Sequence, residues 1–131
     1  MPTRRSRQGD RTPSDRRHVG LTVPAPIKAQ MREAADALDW SVGDWVLAAA
    51  AERGPTLRER LGRIDLPRRT AVPNAVFCAL YLTAEEVAEL DDQAVACGLN
   101  RSAFVTAVAA LALGAEFQQV LGDLSQRSRE Q

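Results

Sequence analysis

The chain has little of what metal, redox or membrane chemistry needs. It holds one histidine, His18, and two cysteines, Cys78 and Cys97, with no Cys-x-x-Cys. That set is too small for a zinc site built from Cys and His ligands, and no cofactor is expected. The plain expectation is a pair of buried free thiols in a reducing cytosol, not a disulfide. Long apolar runs are missing too. The least polar stretch, Ala103 to Ala115, is too short and too interrupted to span a bilayer. The arginine-rich start runs into no apolar core, so a secretory signal is not expected and the chain reads as cytoplasmic. There is no glycine-rich phosphate loop, because the eight glycines are scattered at turns and helix ends. His18 has no Cys or Asp at a recognisable catalytic spacing. Glu85 and Glu86 open a helix, where acids favour the dipole, and Asp91 and Asp92 fall on what should be its solvated face. An enzyme is not expected.

What is present is a repeat. At 131 residues, 45% apolar and 26% charged, the chain suits one globular domain or two intertwined halves of one. Val19, Leu21 and Val23 alternate with His18, Gly20 and Thr22, the period of a strand with one buried face. Pro24 cannot donate to a ladder and ends the strand, and Pro26 suits a helix start. Ile27, Met31, Ala34, Ala35 and Leu38 follow at helical spacing. Ser41 then caps a second helix carrying Val42, Trp45, Val46 and Ala49 on one face. A shift of 59 residues places Val19, Leu21 and Val23 on Cys78, Leu80 and Leu82, and Met31 on Leu90. The same shift places Ser41 on Asn100, Trp45 on Phe104 and Val46 on Val105. Past the second helix the match continues at a shift of 60, setting Gly54 on Gly114 and Leu57 on Phe117. The predicted unit is strand, helix, helix and a short third amphipathic helix, present twice.

This unit resembles the ribbon-helix-helix family, the Arc and MetJ repressor superfamily. The resemblance covers roughly residues 17–52 and 76–113. It rests on the alternating strand, the Leu-x-Val-Pro or Leu-x-Leu-Thr exit, the helix lengths and the capped second helix. It implies a mainly α fold with a short two-stranded antiparallel ribbon, here a tandem pseudo-dimer with an extra short helix per repeat. The expected layout is a disordered basic arm over 1–17 and a first repeat with its third helix over 18–66. A linker over 67–75, a second repeat over 76–125 and a disordered tail over 126–131 complete it. Similar single-chain tandem proteins serve as accessory factors of conjugative-plasmid relaxosomes. The implied partner is double-stranded DNA, with the ribbon in its major groove.

The resemblance also implies the site. The outward strand residues, which would face the bases, are His18, Gly20 and Thr22, then Phe77, Ala79 and Tyr81. None is Arg, Lys, Asn or Gln, the types that read base edges with two hydrogen bonds at once. His18 and Thr22 offer one hydrogen bond each, Tyr81 reaches a phosphate or base, and Ala79 or Phe77 suits a thymine methyl. The first turn of each second helix would hold a phosphate, through Ser41, Val42 and Gly43 and through Asn100, Arg101 and Ser102. Capping alone accounts for Ser41 and Asn100 equally well.

Net charge is zero, but it is unevenly spread. Residues 1–18 carry six arginines against two aspartates, and 53–69 carry six against Glu59 and Asp65. Arg16 and Arg17 precede the first strand and Arg68 and Arg69 the second, where they would flank phosphates. Arg4, Arg5, Arg7 and Arg11 would form an arm ordered on the DNA backbone or in a minor groove. The competing expectation is a ribbon kept for folding in an antitoxin-like or scaffold protein. A partner would then dock on Leu57, Leu61 and Ile64, or on Phe117, Leu121 and Leu124.

Overall fold

The structure, a computed structural model, describes residues 16–61, 75–116 and 118–120. The elements are β1 (Arg16–Pro24), α1 (Ala25–Ala37), α2 (Val42–Leu61), β2 (Ala75–Thr83), α3 (Ala84–Ala96) and α4 (Arg101–Ala112). The described residues are mostly helical, with one two-stranded antiparallel ribbon among them whose strands are each followed by two helices.

Alternation sets the ribbon. Val19, Leu21, Val23, Cys78, Leu80 and Leu82 are all buried, while His18, Gly20, Phe77, Ala79 and Tyr81 are exposed. A slip of one residue would turn every one of those apolar side chains to solvent, so the register is pinned by burial. His18 faces Tyr81, Gly20 faces Ala79 and Thr22 faces Phe77. Gly20 and Ala79 are the pair that a shift of 59 maps onto each other, so the ladder is centred on equivalent positions. Each strand runs nine residues. Arg16 and Arg17, expected in the arm, therefore belong to β1, opposite Thr83 and Leu82. Arginine carries no alternation signal; the partner strand extends the ladder over it. Ala75, expected in the linker, opens β2 for the same reason.

The helices begin and end on local chemistry. Pro24 precedes α1, with Pro26 in its first turn, where a missing N–H costs nothing. Thr83 and Glu86 close a capping box on α3. The Glu86 N–H donates to Thr83 Oγ1 at 3.2 Å, and the Thr83 N–H donates to Glu86 Oε1 at 3.0 Å. Both α1 and α3 end in the same Schellman turn. The Trp40 N–H donates to Ala35 O at 2.8 Å and the Leu99 N–H to Ala94 O at 2.9 Å. The residue between takes a left-handed conformation, Asp39 at φ 59° and Gly98 at φ 75°. Leu38, expected on the buried stripe, is 53% exposed, while its counterpart Cys97 at the same position of the turn is buried. Asp39 carries a Cβ where its counterpart has none. Asp39→Gly is expected to raise stability by about 0.5–1 kcal/mol, seen as a higher urea midpoint at unchanged slope.

The first half departs from the expected short third helix. α2 is one helix of 20 residues that runs through Gly54 and Pro55. Pro55 removes one backbone donor, but Leu57 and Leu61 continue the buried stripe and carry the helix past it. Gly54 therefore sits mid-helix, whereas its aligned Gly114 ends α4 at φ 109°. Beyond that turn residues 118–120 are helical again, and Val120 is buried.

The two halves are interleaved. α4 lies against β1 and α2 against β2, so each half's second helix covers the other half's strand. α2 and α4 pack on each other in the centre, and α3 meets α4 at 87°. Among the described residues Phe104, Met31, Leu57, Leu80, Leu82 and Leu90 are the largest fully buried apolar side chains, and the larger Trp45 is buried beside them. Cys78 and Cys97 are free and buried, and burial pushes both thiols up, against the opposing pull of Lys28 and Arg32 on Cys78 and of Arg58 on Cys97. Among the described residues no single helix is long and apolar enough to cross a membrane.

Candidate nucleic-acid interface

The side of the ribbon away from the helices carries six outward positions, and the structure brings them together as one surface. At one end the rings of His18 and Tyr81 meet across the strands, with centroids 5.0 Å apart and a tilt of 42°. At the centre Gly20 faces Ala79 and adds almost no side chain. At the other end Phe77 leans diagonally over Gly20. A Cβ on Gly20 would stand 2.9 Å from Phe77 Cε1, so the missing side chain is what admits the ring. Phe77 is 64% exposed and Tyr81 41%. None of the six outward residues is acidic.

A two-stranded ribbon has two open edges, and helix side chains cover both. On the β1 edge, Ser102 Oγ accepts the Thr22 N–H at 2.9 Å and the Thr22 hydroxyl at 3.3 Å. Arg101 Nη1 donates to Gly20 O at 3.4 Å on the same edge. On the β2 edge, Lys28 Nζ donates to Phe77 O at 2.9 Å. Gly43, the counterpart of Ser102, meets the counterpart of Thr22: a Cβ on Gly43 would sit 3.1 Å from Tyr81 O and 2.9 Å from Leu82 Cδ2. Gly43 thus lets the start of α2 close directly on the β2 backbone. Thr22 is only half-exposed, and its hydroxyl is turned toward α4.

The helix starts flank the ribbon. Ser41 Oγ accepts the Asp44 N–H at 3.1 Å, and Asn100 Oδ1 accepts the Ala103 N–H at 2.7 Å, so both are true N-caps. The N–H groups of Val42 and Gly43, and of Arg101 and Ser102, have no partner within their own helices. Asp44 is fully buried in the first turn of α2, where the dipole favours an acid. Arg101 is held by Asp91 through two bonds of 2.8 Å, from Nε to Oδ1 and from Nη2 to Oδ2. That bidentate bond holds the Asp91 carboxyl below its ordinary range and raises Arg101 above its own. Asp91, expected on the solvated face of α3, keeps 41% of its side chain exposed there and also closes on the first residue of α4.

Other expected residues are distributed as follows. Arg17 is exposed at the His18 end of the ribbon, and the Arg16 backbone pairs beside it. Leu57 and Leu61 are buried within the chain, so their stripe is core and not a docking surface. Arg4, Arg5, Arg7, Arg11, Ile64, Arg68, Arg69, Phe117, Leu121 and Leu124 lie outside the described residues. The edge contacts of Ser102, Lys28 and Arg101 were not foreseen. Their signal is weak in sequence, because each joins residues distant along the chain, 49 apart for Lys28 and Phe77 and 81 apart for Arg101 and Gly20. No group of His, Cys, Asp and Glu among the described residues could hold a metal ion. Comparison with protein-family models, curated proteins and solved structures finds no match to the chain.

Proposed function

We propose that this chain is a duplicated ribbon-helix-helix protein that binds double-stranded DNA through the β1–β2 ribbon. In this reading it acts as a transcriptional repressor or as an accessory factor of plasmid transfer or partition. The observation that carries the reading is the ribbon: antiparallel, exposed on one face, and centred on Gly20 and Ala79, the positions the repeat makes equivalent. The major groove, about 12 Å wide, admits such a two-stranded ribbon. Arg17 at one end and Lys28 at the other put positive charge beside it. The N–H groups of Val42, Arg101 and Ser102, unused within their own helices, would supply phosphate contacts, whereas that of Gly43 belongs to a buried residue.

A titration of the full chain against a labelled duplex from its own locus, at about 50 and about 200 mM salt, tests this. Four or more phosphate contacts would give log affinity a slope of about −4 or steeper against log salt. Absence of salt-dependent binding would overturn the reading. It would favour the second one, a protein-interaction module on the same core. That reading draws on the lack of Arg, Lys, Asn and Gln at His18, Gly20, Thr22, Phe77, Ala79 and Tyr81 and on the occupation of Arg101 by Asp91.

A further inference from the structure

We infer that the Phe77 end of the ribbon is a thymine-methyl sensor, so that the ribbon distinguishes its two ends; this rests on the DNA-binding reading above. The pseudo-twofold centre at Gly20 and Ala79 relates His18 to Phe77 and Tyr81 to Thr22. The related positions have opposite chemistry. The His18–Tyr81 end presents a ring nitrogen pair and a phenol, all capable of hydrogen bonds. At the Thr22–Phe77 end the one polar side chain is drawn aside, because the Thr22 hydroxyl donates to Ser102. What remains outward is an aromatic ring, 64% exposed, laid over a residue without a side chain.

An aromatic ring held against the floor of a major groove meets one apolar group there, the C5-methyl of thymine. The charge at the two ends of the ribbon fits a polyanion. Lys28 Nζ sits on its carbonyl oxygen, Arg17 marks the far end of the ribbon, and no acid stands among the outward residues. The ring therefore faces a negatively charged, methyl-bearing partner. Gly20 is a positioning residue, since a methyl group added there would push the ring off the strand.

The test uses the full chain and two duplexes of alternating sequence, dA·dT and its dA·dU counterpart, which differ only by the methyl groups. Replacing dT by dU is expected to weaken binding roughly fourfold for each methyl the ring covers. Phe77→Ala, which removes an exposed side chain, should leave the circular dichroism spectrum and the salt slope intact while erasing the dT-to-dU difference. Gly20→Ala should reduce that difference. A duplex of dG·dC carrying 5-methyl-dC should bind more tightly than the unmethylated one. Equal affinity of the natural chain for dT and dU duplexes, with salt dependence preserved, would overturn this inference and leave DNA binding standing. Loss of salt-dependent binding to every duplex would remove both. A chain dimer that Phe77→Ala dissociates would also overturn it, because a second copy would then be the ring's partner.

Discussion

Phe104→Ala should destabilise the chain by about 3–5 kcal/mol and should do so in both halves at once. Phe104 is fully buried in α4, and its Cζ lies 3.6 Å from where a Cβ on Gly54 of α2 would stand. Its removal leaves a cavity between the two central helices that neither strand can collapse to fill. A domain of this size has roughly 5–15 kcal/mol in hand, so the variant is marginal. The coupling follows from the crossed packing of α4 on β1 and α2 on β2. Both tryptophans, Trp40 and Trp45, lie in the first half, while the substitution lies in the second. Urea unfolding followed by tryptophan fluorescence and by far-ultraviolet circular dichroism should therefore show one coincident, shifted transition. A fluorescence midpoint left at its original value would mean that the halves fold independently, contrary to the interleaved core.

Asp91→Asn is expected to tighten binding to a DNA duplex about tenfold at low salt and to steepen the salt slope by about 0.9. Asp91 engages the Arg101 guanidinium through both oxygens, at the position where a clamp would reach a phosphate. The substitution removes a negative charge near that phosphate and releases the guanidinium. Arg101→Ala should leave the slope near its starting value, since the natural pair already neutralises that charge. An Asp91→Asn slope equal to the natural one would show that Arg101 contacts no phosphate. The stability effect should be small. The two side chains are 32% and 41% exposed, and an exposed pair contributes about 0–1 kcal/mol. Its pH dependence has a definite sign. Because the folded state holds the Asp91 carboxyl below its ordinary value, the pair's contribution is present above the ordinary carboxylate range, about pH 4. It is lost as pH falls through the depressed value.

The inward face of the ribbon was legible in sequence because burial imposes a period of two, and Val19 to Val23 and Cys78 to Leu82 obey it. The caps at Ser41 and Asn100 were legible because N-capping is local. Three things were not. Leu38 sits at helical spacing, yet it is exposed at the last residue before the turn, and spacing does not encode which end-of-helix side chain finds a partner to bury it. The stripe of Leu57 and Leu61 was expected on a separate short helix; their burial carries α2 straight through Pro55 despite the lost hydrogen bond. The edge contacts of Lys28, Arg101 and Ser102 depend on which helix lands on which strand, a tertiary outcome. The outward residues were located by alternation, but the lean of Phe77 over Gly20 emerges only in three dimensions.

Both strands of the ribbon come from one polypeptide. A blade assembled from two separate chains falls apart on dilution, and its formation consumes part of the free energy of every encounter. In this molecule the joining is unimolecular, so the ribbon survives at arbitrarily low copy number. It also frees each strand to vary alone: changing Phe77 alters one contact, where an assembly of identical chains would alter two.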